Sequence, residues 1–485
     1  MGGSIIYTKT GLQVRPYRGV RLNPLVNSRS IWDPVRHRYI PVTAYPMKHE
    51  DEKLLATYYV DKTYIHGLIP DYTIEEMEPN MVLPIESDFQ LNEDIIPSEI
   101  QASAIKLIID KGFHQAFFNI PTGVGKTLMA IYLSSILKVK SLIMCYNVNV
   151  LDQWYATIDT MTTFDTRRCV LLTRSKDLLA VYEGSYPVEM YDIYMCTPGL
   201  LTKFVEKNGF DLLNEIVNLM GIGVKYFDEA HRNIANITKI NALTNIDRTY
   251  YLSADFSQAD SRRRELYYKM FQSVPIVKPN GDVLEELKHI IAVVVHYNTE
   301  PTLLEQESAY SRYGFNHHNY MEYQIGSKEF FRVLELVLKS IDETNKSHHK
   351  VLILANMIEH VDYIAFKIEK MVKDRGLTVG RFHSQIDKKI KKNVLDESDI
   401  IVSTYQSMGV GVDVQGIRYV VSLAQVNPIE DNQAAGRASA LPTGEDCYYF
   451  MLCDDGFEYS KKKLPSRLAY LEQQKKIKKV FSIHY

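Results

Sequence analysis

The sequence has little cysteine and no long apolar run. Its 485 residues include 5 cysteines, and none are spaced as Cys-x-x-Cys. This spacing excludes a disulfide framework and a cysteine-based zinc site, and it favours a reducing compartment. No stretch reaches about 18 consecutive apolar residues, so a membrane-spanning helix is excluded. The first residues lack an apolar segment next to a small-residue cleavage site, so we expect a cytoplasmic protein.

The sequence also lacks a strong net charge. The formal charge is only −3, so any attraction to nucleic acid has to come from local patches. One basic patch comprises "KKKLPSR" at 461–467 and "KKIKK" at 475–479. We expect residues 456–485 to form a basic C-terminal tail, which is either solvated or in contact with phosphates. The length of the chain favours about three domains.

The stretch "NIPTGVGKTLMA" at 119–130 predicts a phosphate-binding loop. An apolar run with strand character precedes it and a run with helical spacing follows, which is the context that such a loop requires. Glycines let backbone N–H groups approach phosphates, the lysine reaches the β- and γ-phosphates, and the threonine hydroxyl can bind Mg²⁺. The pattern is imperfect because Ile120 replaces its first glycine. The expected nucleotide-binding residues here are Thr122, Gly123, Val124, Gly125, Lys126 and Thr127.

The stretch "GVKYFDEAH" at 223–231 supplies the carboxylates that a phosphate loop needs. Its β-type run places Asp228 and Glu229 at the carboxyl end of a strand, where parallel α/β sheets bind ligands. Asp228, with Thr127, is the predicted Mg²⁺ ligand, and Glu229 is predicted to orient or deprotonate the attacking water. The two segments together predict an enzyme that hydrolyses ATP with Mg²⁺.

Together these two segments resemble the motifs of superfamily 2 helicases, and further segments follow in that family's order. "IPSEIQASAIKLI" resembles the element whose glutamine, here Gln101, reads adenine. "SLIMCYNVNVLDQW" resembles the element that ends in Gln-Trp, and "YLSAD" resembles the Ser-Ala-Thr motif that couples ATP to nucleic acid. The resemblance assigns coupling to His231, Ser253 and Ala254, with Asp255 in place of the usual threonine. In "CTPGLL" it assigns strand-phosphate contacts to Thr197, Pro198 and Gly199.

A second cluster of segments resembles the other motor lobe of the same family. "KVLILANMIEHVDYIA" resembles its first strand, and "IIVSTYQSMGVGVDV" carries Thr404 for nucleic acid with Gly411 and Asp413 for nucleotide. "DNQAAGRASA" resembles Gln-x-x-Gly-Arg-x-x-Arg, so Gln433 and Arg437 are expected catalytic residues. The chain departs from this motif at Ala440, where the family has a second arginine.

The resemblance implies an α/β fold of two tandem RecA-like lobes with a small N-terminal accessory domain. The expected divisions are an accessory domain at 1–92, lobe one at 93–275, an inter-lobe connection at 276–330, lobe two at 331–455 and the tail at 456–485. In the connection, His317, His318 and Glu322 invite a metal site. A hydrated linker is favoured there, because no compact ligand spacing is present.

Finer features resemble the DNA-directed members of the superfamily. Leu-Ser-Ala is followed by Arg262, Arg263 and Arg264, which are candidates for contact with a DNA backbone. The compact size is most like that of phage helicases of the UvsW type, which implies branched or forked DNA as partner and the host cytoplasm as location. Three alternatives stay open: an RNA helicase of the DEAH type, an ATP-binding clamp with slow turnover because of Ala440, and a motor subunit for a separate nuclease.

Overall fold

The computed structural model describes two compact units, residues Met1–Pro279 and Asn280–Tyr485. Before residue 80 it describes the backbone of seven short strands. Beyond that point the described residues are 80–120, 124–232, 234–253, 274–278, 289–311, 314–345, 347–409, 416–426, 428–438, 445–473 and 477–485.

The N-terminal strands form a five-stranded sheet and a separate hairpin. The sheet has the order β5-β6-β2-β1-β7, in which β1 pairs with β7 in parallel and the other neighbours are antiparallel. The hairpin joins β3 to β4. The strands are β1 Gly3–Tyr7, β2 Leu12–Pro16, β3 Ser30–Asp33, β4 Arg38–Pro41, β5 Tyr45–Met47, β6 Thr57–Val60 and β7 Tyr72–Glu76.

The rest of the first unit is a parallel sheet of seven strands with helices between them. Its order is β10-β11-β9-β12-β13-β8-β14. The strands are β8 Gln115–Asn119, β9 Ser141–Met144, β10 Cys169–Leu171, β11 Ile193–Cys196, β12 Val224–Phe227, β13 Arg248–Ser253 and β14 Ile276–Val277. The helices are α1 Glu99–Lys111, α2 Lys126–Leu137, α3 Val148–Met161, α4 Ser175–Tyr182, α5 Pro198–Asn208, α6 Phe210–Met220 and α7 Ile234–Leu243.

The central strands of this sheet are mostly apolar because helices cover both faces. Every residue of β9, β11 and β12 is buried. Lys225 is the basic residue in these strands, and its side-chain nitrogen donates a 2.7 Å hydrogen bond to Thr244 Oγ1 inside the core. Since all strands run in the same direction, the segments that follow β8, β11, β12 and β13 lie together at the carboxyl ends of the strands.

The second unit contains another parallel sheet of seven strands, in the order β19-β20-β18-β21-β22-β15-β23. Its strands are β15 Ile290–Tyr297, β18 Lys350–Ala355, β19 Val379–Phe382, β20 Ile400–Thr404, β21 Ile417–Ser422, β22 Cys447–Asp454 and β23 Ile477–His484, and a small hairpin is formed by β16 Tyr310–Ser311 and β17 Gly314–Phe315. The helices are α8 Leu303–Ser308, α9 His317–Gly326, α10 Lys328–Thr344, α11 Ile358–Val372, α12 Lys388–Glu397, α13 Tyr405–Gly409, α14 Pro428–Ala435 and α15 Glu458–Gln473.

The second lobe is larger than its expected bounds of 331–455. Strand β15 lies in the segment expected to be a connection, and β23 lies in the segment expected to be a tail, yet both belong to the sheet and pair with each other in parallel. The sequence of β15, "IIAVVVHY", is a buried apolar strand. Strand β23 is mostly exposed, because it forms the edge of the sheet. Among the described residues no helix is both long and apolar enough to cross a membrane.

Candidate functional site

The predicted phosphate loop lies between β8 and α2, as its sequence requires. Gly125 caps α2 with φ at 78°, in the left-handed region that glycine adopts without steric cost. Lys126 is the first residue of the helix and is buried. A helix N-terminus presents free N–H groups and partial positive charge, so this point suits a phosphate. Thr127 follows within the first turn, whereas Thr122 and Gly123 lie outside the described residues.

Gln101 ties helix α1 to the phosphate loop. Its Nε2 donates a 2.7 Å hydrogen bond to the carbonyl of Val124, and its Oε1 accepts one of 2.8 Å from the N–H of Ser98. The second contact is half of a capping box at the start of α1. A Cβ at Gly125 would come within 2.6 Å of Gln101 Nε2 and displace this amide, and the φ of 78° favours glycine at this position in any case. Adenine recognition by Gln101 stays a prediction.

Asp228 is a buried carboxylate at the end of β12. Its Oδ2 accepts a 2.9 Å hydrogen bond from Trp154 Nε1, and its Oδ1 accepts one of 2.9 Å from the backbone N–H of Glu229. Burial and the neighbouring charge of Glu229 raise the pKa of Asp228 to about 6, while the indole hydrogen bond and the charge of Lys126 act in the opposite sense. Lys126 and Asp228 therefore share one electrostatic environment.

Glu229, His231 and Ser253 form a chain of polar contacts at the same sheet edge. His231 Nδ1 lies 2.8 Å from Ser253 Oγ and 3.2 Å from Glu229 Oε2. The contact with Ser253 is a hydrogen bond, whereas the contact with Glu229 is a charge-pair distance. Glu229 adopts φ of 47°, which is unusual for a residue with a side chain and marks a backbone held in place by its surroundings. The predicted coupling pair His231 and Ser253 is in contact, and Ala254 lies outside the described residues.

The carboxylates of this site fit a divalent cation bound with phosphates. Asp228 and Glu229 are adjacent buried carboxyl groups, and the raised pKa of Asp228 reflects first its burial and then the charge of Glu229, with the charge of Lys126 acting in the opposite sense. Hard oxygen donors are the ligands that Mg²⁺ prefers, and Mg²⁺ commonly binds through one or two carboxylates together with substrate phosphates. Thr127 and Asp228 are the residues that would hold the ion.

The Thr-Pro-Gly segment begins helix α5 directly after β11. Thr197 is the N-cap, its Oγ1 accepts a 3.2 Å hydrogen bond from the N–H of Leu200, and Pro198 occupies the first helical position. The nearest atoms to a Cβ at Gly199, on Asn236 and Thr197, would lie 4.0 Å away, so no close contact forces glycine at this position. Contact of this helix start with a strand phosphate stays a prediction.

The predicted residues of the second lobe cluster around α13 and α14. Thr404 ends β20, and its hydroxyl donates a 2.8 Å hydrogen bond to Ser407 Oγ. Gln433 and Arg437 line a small pocket together with Glu430 and Tyr405. The other residues assigned to this lobe, Gly411, Asp413 and Ala440, lie outside the described residues, as does Arg262 of the first lobe.

Residues that sequence reasoning missed hold these predicted ones in place. Arg467, from the expected basic tail, is fully buried and pairs with Asp431 of α14. Its Nη1 donates a 2.6 Å hydrogen bond to Gln425 Oε1, and Tyr449 donates one of 2.5 Å to Asp431 Oδ1. No local signal distinguishes Arg467 from the exposed lysines before it. Trp154 stands in a recognised motif, but its contact with Asp228 joins positions 74 residues apart.

Two family matches cover most of the two lobes. Residues 94–255 match the family described as type III restriction enzyme, res subunit, and residues 331–439 match the helicase conserved C-terminal domain. A search of curated proteins finds no match.

Solved structures share the fold at low identity. S. cerevisiae Dbp5 bound to RNA and ADP BeF3 is 15% identical, with 80% of this chain and 90% of that chain covered and a TM-score of 0.52. The Mycobacterium smegmatis helicase Lhr bound to ssDNA and AMP-PNP is 14% identical, with 78% of this chain and 48% of that chain covered and a TM-score of 0.52. This likeness confirms the predicted fold of two tandem RecA-like lobes.

Proposed function

We propose that this chain, a superfamily 2 helicase by its two lobes and their motifs, uses ATP to unwind or remodel branched or forked DNA. The proposed use of ATP rests on one observation. Lys126, Asp228 and Glu229 lie together at the carboxyl ends of the strands of the first sheet. The choice of DNA is supported by the match of residues 94–255 to a restriction-enzyme subunit family. The resemblance of residues 251–264 to DNA-directed members supports the same choice.

Hydrolysis follows from the geometry of the first lobe. The N-terminus of α2 and the Lys126 ammonium receive the β- and γ-phosphates. When bound, Mg²⁺ held by Thr127 and Asp228 neutralises charge on the phosphates. Glu229 orients the attacking water and takes its proton. The side chain of Glu229 lies 3.2 Å from His231 Nδ1, and its backbone has an unusual φ of 47°.

In the second lobe, the family resemblance assigns a catalytic role to Arg437. An arginine placed at the transferred phosphoryl group can raise the rate by about 10³–10⁵. Arg437 and Gln433 lie in one pocket of their own lobe, held by the buried network around Asp431. Because Ala440 stands where the family has a second arginine, we expect Arg437 to be the main arginine finger, meaning the arginine that stabilises the transferred phosphoryl group.

DNA binding is proposed to depend on phosphates rather than bases. The N-terminus of α5 at Thr197 is proposed to offer backbone N–H groups to DNA phosphates, and Thr404 and Arg262 are proposed to make further contacts with DNA. Such binding tolerates any sequence, and it weakens as salt rises because counterions are released on binding. His231 connects this function to hydrolysis, since its ring contacts both Glu229 and Ser253.

A strand-separation assay tests the proposed substrate. The chain is mixed with ATP and labelled four-way junction DNA, forked DNA, linear duplex DNA or RNA duplex, and products are resolved on a gel. We expect ATP-dependent products from the junction and fork above those from linear duplex, and none with Lys126→Ala. Products from RNA alone would favour the RNA helicase alternative. ATP and DNA binding with no products and no turnover would favour the clamp.

A further inference from the structure

Four metal-ligating side chains meet in the second lobe, away from the predicted motor site. His318 and Glu322 lie one turn apart on α9, so they share a face of that helix. Glu359 and His360 lie in the first turn of α11. One ligand atom from each of the four lies within 4.8 Å of the others. We propose that this cluster is a Zn²⁺ site that joins α9 to α11.

The contacts within the cluster already pair each imidazole with a carboxylate. His360 Nε2 lies 3.0 Å from Glu322 Oε1, and His318 Nδ1 lies 3.4 Å from Glu359 Oε1. The two rings stack with their centroids 5.6 Å apart. Each of these pairs joins one helix to the other, so all four side chains converge on the space between α9 and α11.

His360 is the buried member of the cluster. Its side chain is fully buried, whereas those of His318 and the two glutamates are at least 42% exposed. Its Nε2 is the nitrogen that lies among the other ligands, 3.0 Å from Glu322 Oε1. Among the described residues its Nδ1 has no hydrogen-bond partner, so no second hydrogen bond fixes the ring. The buried imidazole of His360 is thus held in the proposed site by packing, whereas the three exposed side chains can move toward it.

The chemical types of the four ligands favour Zn²⁺. Two carboxylates and two neutral imidazoles carry a charge of −2, which a divalent cation balances. Imidazole nitrogen favours Zn²⁺ over Mg²⁺ and Ca²⁺, and Zn²⁺ accepts His and Glu in a tetrahedral set at about 2.0–2.2 Å. Donors around such an ion lie about 3.3 Å apart, so the exposed Glu322, Glu359 and His318 have to close in slightly on His360. Their exposure makes this movement possible.

Metal analysis of the full chain tests the site. The chain, prepared without a polyhistidine tag, is titrated with ZnCl₂ by calorimetry, and bound zinc is counted by mass spectrometry after dialysis. We expect one equivalent of zinc and a higher melting temperature on binding. The double variant His318→Gln, Glu359→Gln changes only exposed ligands, so it should stay folded by circular dichroism while zinc affinity falls more than about tenfold.

Two further variants make the result decisive. His348→Asn removes an exposed histidine of the same lobe at a φ of 52°, which asparagine tolerates, and should leave zinc binding unchanged. His484→Gln removes one member of a second group, His296, Asp455 and His484, and should also have no effect. Absence of zinc from the unaltered chain, zinc binding that survives the double variant, or zinc loss on His484→Gln would each overturn the proposal.

Discussion

Asp228 shows how one residue can serve catalysis at the expense of stability. It is buried beside Glu229, and its pKa is raised to about 6. A carboxyl group with a raised pKa favours the folded chain below its unfolded pKa of about 3.9, and this contribution is lost as pH rises through about 6. Without nucleotide and metal, the ionised Asp228 therefore destabilises the chain at pH 7.

Asp228→Asn is expected to separate these two effects. The amide removes the buried charge but keeps only one of the two acceptor oxygens, so the N–H of either Trp154 or Glu229 loses its partner. The free energy of unfolding should therefore fall less between pH 5 and pH 7 than it does in the unaltered chain, by roughly 1–2 kcal/mol. ATP hydrolysis should be lost because the predicted metal ligand is gone. Urea unfolding without nucleotide at the two pH values measures the first effect. An unchanged pH dependence would contradict this account of the site.

Ser253 is predicted to act in coupling. Ser253→Ala removes the hydroxyl that lies 2.8 Å from His231 Nδ1 and leaves the Glu229 contact in place. A lost hydrogen bond of about 1 kcal/mol corresponds to about a fivefold effect. We expect strand separation to fall about fivefold or more, while ATP turnover in the presence of DNA falls less. Equal losses in the two assays would show that Ser253 serves hydrolysis itself.

At the scale of elements, a buried ion pair joins helices α14 and α15. The fully buried Arg467 of α15 pairs with Asp431 of α14, the helix that precedes Arg437. Removing one partner of a buried ion pair leaves the other charge unpaired, which costs about 3–5 kcal/mol. The helix that precedes Arg437 thus depends on the C-terminal segment for its position.

Arg467→Met should destabilise the second lobe by about 3 kcal/mol or more, seen as a lower melting temperature. Lys461→Met is the matched control, since Lys461 is an exposed residue of the same helix and should have little effect. Adding Asp431→Leu to Arg467→Met should recover part of the loss, because no buried charge then stays unpaired. Equal melting temperatures for Arg467→Met and Lys461→Met would contradict a structural role for this pair.

Local elements were easier to predict than the contacts between them. The phosphate loop and the Asp228-Glu229 pair could be predicted because strand, loop and ligand residues are adjacent in sequence. Arg467 could not, because its burial depends on a partner 36 residues away. The ligands of the proposed zinc site are split in the same way, since His318 and Glu322 meet His360 only once both helices pack. Strand β23 was missed because, as an edge strand, it is polar.

At the scale of the whole molecule, two parallel sheets carry different sets of predicted functional residues. The first carries the residues predicted to bind and hydrolyse ATP, at the ends of β8, β12 and β13. The second carries Arg437 on an element braced by the last helix of the chain. The expected accessory domain at residues 1–92 contains a five-stranded sheet and a hairpin.

The most direct test of the central claim is steady-state ATP hydrolysis by the unaltered chain and by Glu229→Gln. Each is measured with no nucleic acid, with single-stranded DNA, with a four-way junction and with RNA, and ATP binding is measured in parallel. We predict DNA-stimulated hydrolysis that is strongest with the junction, and a Glu229→Gln variant that binds ATP but turns it over at least about a hundredfold more slowly. Hydrolysis that persists in Glu229→Gln would contradict the account, because the end of β12 would then not be where the water is activated.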